Sequence, residues 1–318
     1  MIFDELELLG IIPVVTIDDE KKAVNVAKAL CKGGINAAEI TCRTDAAIKA
    51  IENIATKCPD MLLGAGTVLS QSQFDDAVNA GAKFIVTPGF NPKIIEHAKQ
   101  KNIPILPGVN NPSDIEAALD MGIKTVKFFP AEASGGLKYI KALSGPYNMM
   151  KFVPTGGISL QNISEYISFS KIAACGASFM ADKRLIANEN YDEITRLAKE
   201  TVKKIQGFEA AHIGIPSVND AEANEKTAFF TEILGMKCEK CVASNFIDDI
   251  IEILNYSDTP HIGIGVNNVE RSIFYLKNKG IDIDEKTKSY DKSGRLNFVY
   301  LKKEISGFKI HLKLKTNI

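Results

Sequence analysis

The chain has 318 residues, enough for two domains with substantial cores, and its 45% hydrophobic and 24% charged residues fit a globular protein. A net charge of −1, with both halves near neutral, excludes the basic surface that nucleic acid or an anionic membrane would attract. The acidic start, Met1 to Glu5, lacks the basic region of a signal peptide, and no apolar run is long enough to span a bilayer, so a cytoplasmic location is expected.

From the N-terminus to Lys204, short apolar runs alternate with amphipathic segments. The runs are Ile11–Val15, Ala37–Ile40, Met61–Ala65, Phe84–Val86, Ile103–Leu106, Thr125–Phe129, Phe152–Val153 and Ile172–Cys175. Between them, Lys21–Lys32, Asp45–Lys57, Ser72–Ala80, Pro92–Lys101 and Ser113–Met121 have helical periodicity. Strands alternating with helices predict right-handed crossovers and a parallel sheet. Eight units in roughly 200 residues predict an α/β domain of the (β/α)8 TIM barrel class over residues 1–206. An open doubly wound sheet normally carries a Gly-rich fingerprint after its first strand, where this chain has Pro13-Val14-Val15-Thr16.

A barrel collects its functional residues just after the strands. Those positions here carry Glu39 to Arg43, Gly64 to Thr67, Thr87 to Phe90, Pro107-Gly108, Lys127 to Pro130, Thr155 to Gly157 and Gly176 to Ser178. Lys127 stands out, because its run is otherwise apolar, β-branched and aromatic. An ordinary lysine in such a place snorkels to solvent, whereas a desolvated one loses part of its preference for charge and can attack a ketone. Strand alternation puts Thr125, Lys127 and Phe129 on one face, with Val126 and Phe128 on the other. By the same alternation Ala37 and Glu39 face inward, so Glu39 and Lys127 are expected to share the barrel mouth, with Arg43 in the loop above. Such a set suits Schiff-base chemistry on a 2-keto acid: Lys127 attacks, Glu39 moves protons, and Arg43 holds the carboxylate. Gly156, Gly157 and Ser178 follow strands seven and eight, where barrels commonly bind phosphate.

Four segments, Glu39 to Thr44, Gly64 to Val68, Lys127 to Glu132 and Pro154 to Ile158, closely resemble the 2-keto-3-deoxy-6-phosphogluconate (KDPG) and 4-hydroxy-2-oxoglutarate aldolase family. The resemblance implies a class I lyase that needs no cofactor and releases pyruvate and an aldehyde. It implies Lys127 as the Schiff-base lysine and Glu39 as the acid and base. Arg43, Thr67, Pro88, Phe129 and Thr155 then line the pyruvate end, and the usual assembly is a homotrimer. Gly176-Ala177 stands where relatives often carry two glycines, which brings a methyl group toward the phosphate end.

Residues 207–318 have a different texture, richer in alternating strands, with Ala211 to Ile215 echoed by Pro260 to Ile264 around a shared His-Ile-Gly-Ile. Helical segments Glu222–Leu234 and Val269–Lys279 follow the two copies, and strands close each half at Ile250–Leu254 and Phe308–Leu312. An α+β domain of two βαβββ modules is the simplest account. Of the four histidines in the chain, His212 and His261 open the repeats, while Glu252 and His311 occupy matching closing strands. This arrangement resembles the vicinal-oxygen-chelate, or glyoxalase-like, superfamily. That resemblance implies a divalent metal held by His212, Glu252, His261 and His311, with His311 where a glutamate is usual. A metal-dependent isomerase or lyase and a ligand-sensing module both fit. The six cysteines are expected to be buried thiols, the Cys238–Cys241 pair included.

Overall fold

Nearly every residue of the first apolar runs is buried, as parallel strands covered on both faces require. In the computed structural model, which describes residues 2–241 and 244–315, they form β1 (Ile11–Val15), β2 (Ala37–Thr41), β3 (Leu62–Gly66), β4 (Phe84–Val86), β5 (Ile105–Leu106), β6 (Gly108–Val109), β7 (Thr125–Phe128), β8 (Lys151–Pro154) and β9 (Cys175–Ala177). β1 through β5 pair in sequence, all parallel. The predicted fifth run, Ile103–Leu106, holds β5, and beyond Pro107, which has no N–H to donate, lies a short strand that was not expected, β6. Lys127, expected on the sixth strand, is therefore on β7. β6, β7 and β8 pair parallel, two bridges (Phe152 to Ile172, Thr155 to Gly176) lead to β9, and β9 pairs with β1. The curled sheet thus meets itself. The final strand lies later than expected, because its ladder with β1 runs from Cys175 to Ala177.

The helices between strands start where local chemistry directs. Asn91-Pro92 and Asn111-Pro112 each place an Asn cap before a proline at the first helical turn, and the amide oxygens accept from the Lys93 and Asp114 N–H groups. Ser70 caps its helix by accepting from the Gln73 N–H, so that helix begins at Gln71. One core cluster, which includes Val126 and Phe128, lies between strands and helices. A second gathers Ile12, Ala37, Leu62, Phe84, Leu106 and Val153, with Leu6 of the helix Ile2–Leu9 packed among them. Sequence reading did not place that N-terminal helix; its apolar residues at Ile2, Phe3, Leu6 and Leu9 were the available signal.

The chain forms two compact units, Met1–Ile205 and Gln206–Ile318. The second unit contains β10 (Glu209–Ile215), β11 (Cys238–Lys240), β12 (Ser244–Ile247), β13 (Ile251–Leu254), β14 (His261–Val266), β15 (Ser289–Tyr290), β16 (Leu296–Ile305) and β17 (Phe308–Leu314) in one sheet ordered β11-β12-β13-β10-β14-β17-β16-β15. Each half runs strand, helix and three strands, and in each the first strand lies parallel to the last. β10 and β14 join the halves as an antiparallel pair. The first helix, Asp220–Ala228, continues as a π-turn over Phe229–Ile233, and the second spans Val269–Lys277. Among the described residues no helix is long and apolar enough to cross a membrane. Of the six cysteines, all free, Cys175 alone is buried; Cys241 is exposed and the rest are half-buried, which corrects the expectation. Cys31, Cys42, Cys58 and Cys238 pack against the rims of the core clusters, where one side of each thiol stays partly open to solvent.

Candidate active site and a histidine cluster

Lys127 and Glu39 come from strands β7 and β2, and both side chains are almost wholly buried, at 5% and 2% exposure. The Lys127 Nζ donates to Glu39 Oε1 over 3.3 Å and lies 5.4 Å from the centre of the Phe129 ring. Space for this contact comes from Gly66 on β3, where an added Cβ would sit 2.0 Å from Glu39 Oε1. Gly66 is thus required by a close approach rather than by a turn. Arg43, in the turn after β2, donates from Nε to Thr67 Oγ1 at 3.1 Å. Thr67 has a φ of 57°, a left-handed conformation that a β-branched residue adopts only under constraint, and such positions cluster at functional sites. The Pro88 carbonyl presses on Gly108, where a Cβ would come within 2.2 Å of it, and Gly108 pairs with Lys127 across the ladder.

A cavity of about 330 Å³ is lined by Arg43, Phe129, Thr155, Gly156, Gly157 and Ser178, all expected from sequence. Lys127 and Glu39 are outside this lining. Gly156 and Gly157 have φ values of 99° and 85°, and a Cβ on Gly157 would meet Glu132 Cγ at 2.4 Å. The loop is anchored from behind: the Ala131 and Glu132 N–H groups donate to the Thr155 and Gly156 carbonyls, and the Tyr166 hydroxyl donates to Glu132 Oε1. Ala177 lines the same cavity. Its side chain is 3% exposed and belongs to the core cluster between strands and helices, while Gly176 is the residue that abuts Thr155. Thr16 and Lys183 also line the cavity, and sequence reading missed both. Burial and then the Glu39 carboxylate push the neighbouring Cys42 thiol up to about 11, so it stays protonated near neutral pH and is no competing nucleophile.

In the second unit the histidine repeat has a geometric cause. His212 pairs with Gly263 and Gly214 with His261 across β10 and β14. A Cβ at Gly263 would lie 2.5 Å from the His212 ring, and one at Gly214 would lie 2.2 Å from the His261 ring. Each copy's glycine makes room for the other copy's histidine. The two rings and His311 are all at least nine-tenths buried, and their ligand atoms lie within 4.8 Å of one another. His212 Nε2 is 3.1 Å from His261 Nε2, 3.1 Å from His311 Nε2 and 3.3 Å from Glu252 Oε2. Glu252 Oε2 is also 3.1 Å from His261 Nε2, and Ser244 donates to the other carboxylate oxygen at 2.8 Å. Burial pushes Glu252 up, but hydrogen bonds from His261 and Ser244 outweigh it and hold the carboxyl below its ordinary range. Burial lowers His212 and takes His311 down to about 3, which in both favours the neutral ring with a free lone pair. A cavity of about 840 Å³ opens beside His212, with Phe246 and Lys313 in its lining.

Comparison with known proteins reaches the first unit. The KDPG and KHG aldolase family model matches residues 2–197. The 2-dehydro-3-deoxy-phosphogluconate aldolase of Haemophilus influenzae is 49% identical over 205 residues, 64% of this chain and 97% of that protein. The KHG/KDPG aldolase of Escherichia coli is 38% identical over 193 residues, 61% of this chain and 91% of its own. A crystal structure of the Legionella pneumophila KDPG aldolase, with pyruvate captured as a covalent carbinolamine, aligns with a TM-score of 0.61 at 39% identity, over 63% of this chain and 97% of that one.

Proposed function

The chain belongs to the KDPG and KHG aldolase family and is a carbon–carbon lyase; from that premise we propose how its own residues do the chemistry. Residues 1–206 form a (β/α)8 barrel that cleaves 2-keto-3-deoxy-6-phosphogluconate to pyruvate and glyceraldehyde 3-phosphate, and 4-hydroxy-2-oxoglutarate to pyruvate and glyoxylate. The Lys127 amine adds to the C2 carbonyl, and loss of water leaves a protonated imine. Glu39 takes the proton of the C4 hydroxyl as the C3–C4 bond breaks, and the bonding electrons pass into the imine to form an enamine. Protonation at C3 and hydrolysis release pyruvate and the free amine. Arg43, fixed by Thr67, holds the substrate carboxylate, while Pro88, Phe129 and Thr155 enclose the pyruvate moiety. Gly156, Gly157 and Ser178 receive the phosphoryl group.

The buried 3.3 Å contact between Lys127 Nζ and Glu39 Oε1 carries this reading, because it puts the proton carrier at the nitrogen that must attack. Borohydride added with pyruvate should fix an adduct on the Lys127 peptide. An adduct confined to other lysines, or normal turnover in a folded Lys127→Ala protein, would overturn it. The active form is proposed to be a homotrimer in the cytoplasm, and sedimentation of the purified chain tests the assembly.

A second reading concerns residues 207–318, proposed as a glyoxalase-like domain with a divalent metal on His212, Glu252, His261 and His311. His212 Nε2 faces three acceptor-capable atoms at 3.1–3.3 Å, and one ring nitrogen cannot hydrogen-bond to them all. Two donors each about 2.1 Å from a common ion lie about 3.0 Å apart at right angles and about 3.4 Å apart at the tetrahedral angle. The observed separations fall in that window. A bound ion would supply a Lewis-acid centre for an oxygen ligand, for either an isomerase or lyase or a sensing role. Elemental analysis after reconstitution with zinc or cobalt decides it: metal at one equivalent, lost in His261→Ala, supports the site, and metal-free protein refutes it.

A further inference from the structure

We propose that Lys183 is the cation that recognises the substrate's phosphoryl group, and that Asp18 holds Lys183 at the cavity mouth until that group arrives. The inference rests on the aldolase reading and extends it to a residue that the family motifs do not include.

The cavity wall carries two cations and one acid. Arg43 is tied to Thr67, whereas Lys183 comes from the segment after β9, close in sequence to Ser178. The acid, Asp182, is already engaged: its Oδ1 accepts from the Arg184 backbone N–H at 2.8 Å and from Arg184 Nε at 3.3 Å. The wall therefore presents two cations from different strand ends, which suits a ligand with a carboxylate at one end and a phosphate at the other. A phosphate monoester carries about −1.5 to −2 charges near neutral pH. Gly156, Gly157 and Ser178 offer hydrogen bonds to its oxygens but no formal charge. Lys183 is the lining residue that does. Lys22 is no rival, because its Nζ donates to the Ala187 carbonyl at 2.8 Å and pairs with Glu189.

Lys183 Nζ lies 3.1 Å from Asp18 Oδ1, and the two side chains are 59% and 61% exposed. A pair this open to solvent is weak, so a dianion entering the cavity can draw the ammonium away from Asp18. Without substrate, Asp18 keeps the flexible lysine near its working position, which limits the rotamer freedom lost on binding. The pair thus competes with phosphate and positions the lysine for it.

The test compares 2-keto-3-deoxy-6-phosphogluconate with its unphosphorylated analogue, in a retro-aldol assay coupled to pyruvate detection on the full chain. For Lys183→Gln, the ratio of kcat/KM between the two substrates should fall at least about tenfold, as expected for one lost charge-assisted hydrogen bond, with the loss in KM. Lys183→Arg should restore most of the ratio. Asp18→Asn, whose amide oxygen still accepts from Lys183 but no longer competes as a charge, should raise the ratio, and a lower ratio would overturn the competing role of Asp18. Inorganic phosphate binding, measured by calorimetry, should weaken in Lys183→Gln by a similar factor and reads the site without turnover. A ratio within about twofold of wild type in Lys183→Gln, or equal loss on both substrates, overturns the proposal. Failure of the aldolase reading would look different: wild-type protein would cleave neither substrate and borohydride would fix no pyruvate on Lys127.

Discussion

Gly66→Ala separates the role of Glu39 from that of Lys127 without touching either. The new Cβ would lie 2.0 Å from Glu39 Oε1 and 2.6 Å from its Cδ and Cγ, far inside contact distance. Glu39 is 2% exposed and has no solvent to move into, so the carboxylate must swing away from Lys127, whose 3.3 Å contact leaves no slack. Losing that charge-assisted hydrogen bond costs about 1.5–3 kcal/mol, and misplacing a general acid–base group costs about 10²–10⁴ in rate. The variant should therefore have kcat reduced about a hundredfold or more, while borohydride with pyruvate still labels Lys127. Gly64→Ala on the same strand is the control, since its Cβ would come within 2.3 Å of the Phe84 ring instead. Overpacking there should lower stability by about 1–3 kcal/mol and leave kcat per folded molecule nearly intact. Wild-type kcat in a folded Gly66→Ala protein would refute the assignment of Glu39.

Other consequences are measurable. Lys127→Ala leaves the Glu39 carboxylate buried without its partner and should destabilise the first unit by about 3–5 kcal/mol in urea, a loss that adding Glu39→Gln should partly recover. Tyr166→Phe removes the donor to Glu132 behind the Gly156-Gly157 loop, and KM for the phosphorylated substrate should rise more than kcat falls; equal effects on both would refute the anchoring role. In metal-free protein, burial and then His212 and His261 hold His311 at about 3 against an ordinary 6.5. The unfolded chain gains that proton near 6.5 and the folded one only near 3. Stability is thus full above about pH 7 and falls between those values by up to about 1.4 kcal/mol per pH unit for this histidine. A urea midpoint for the second unit that does not move between about pH 7.5 and about pH 5 would contradict this.

The sequence by itself determined most of the strands in the first unit and the helices between the early ones, though not the helix Ile2–Leu9 or strand β6, and it determined which side of β7 carries Lys127. Those features follow from backbone periods of two and 3.6 residues, which apolar patterning records directly. The helix start at Pro92 was legible for the same local reason, whereas the helix expected from Ser113 begins at Pro112 under the Asn111 cap. Tertiary structure alone decided what meets across the strands. Side-chain packing between strands sets Gly66 against the Glu39 carboxylate and Gly176 against Thr155, and register pairs each glycine of the His-Ile-Gly-Ile repeat with the opposite histidine. The repeat was visible as a pattern, but the reason for its glycines appeared only when β10 and β14 were paired. Lys183 carried no sequence signal, because its significance comes from Asp18, 165 residues earlier in the chain, and from a cavity shared by several strand ends. Local geometry writes itself into neighbouring residues; long-range proximity depends on how the chain closes.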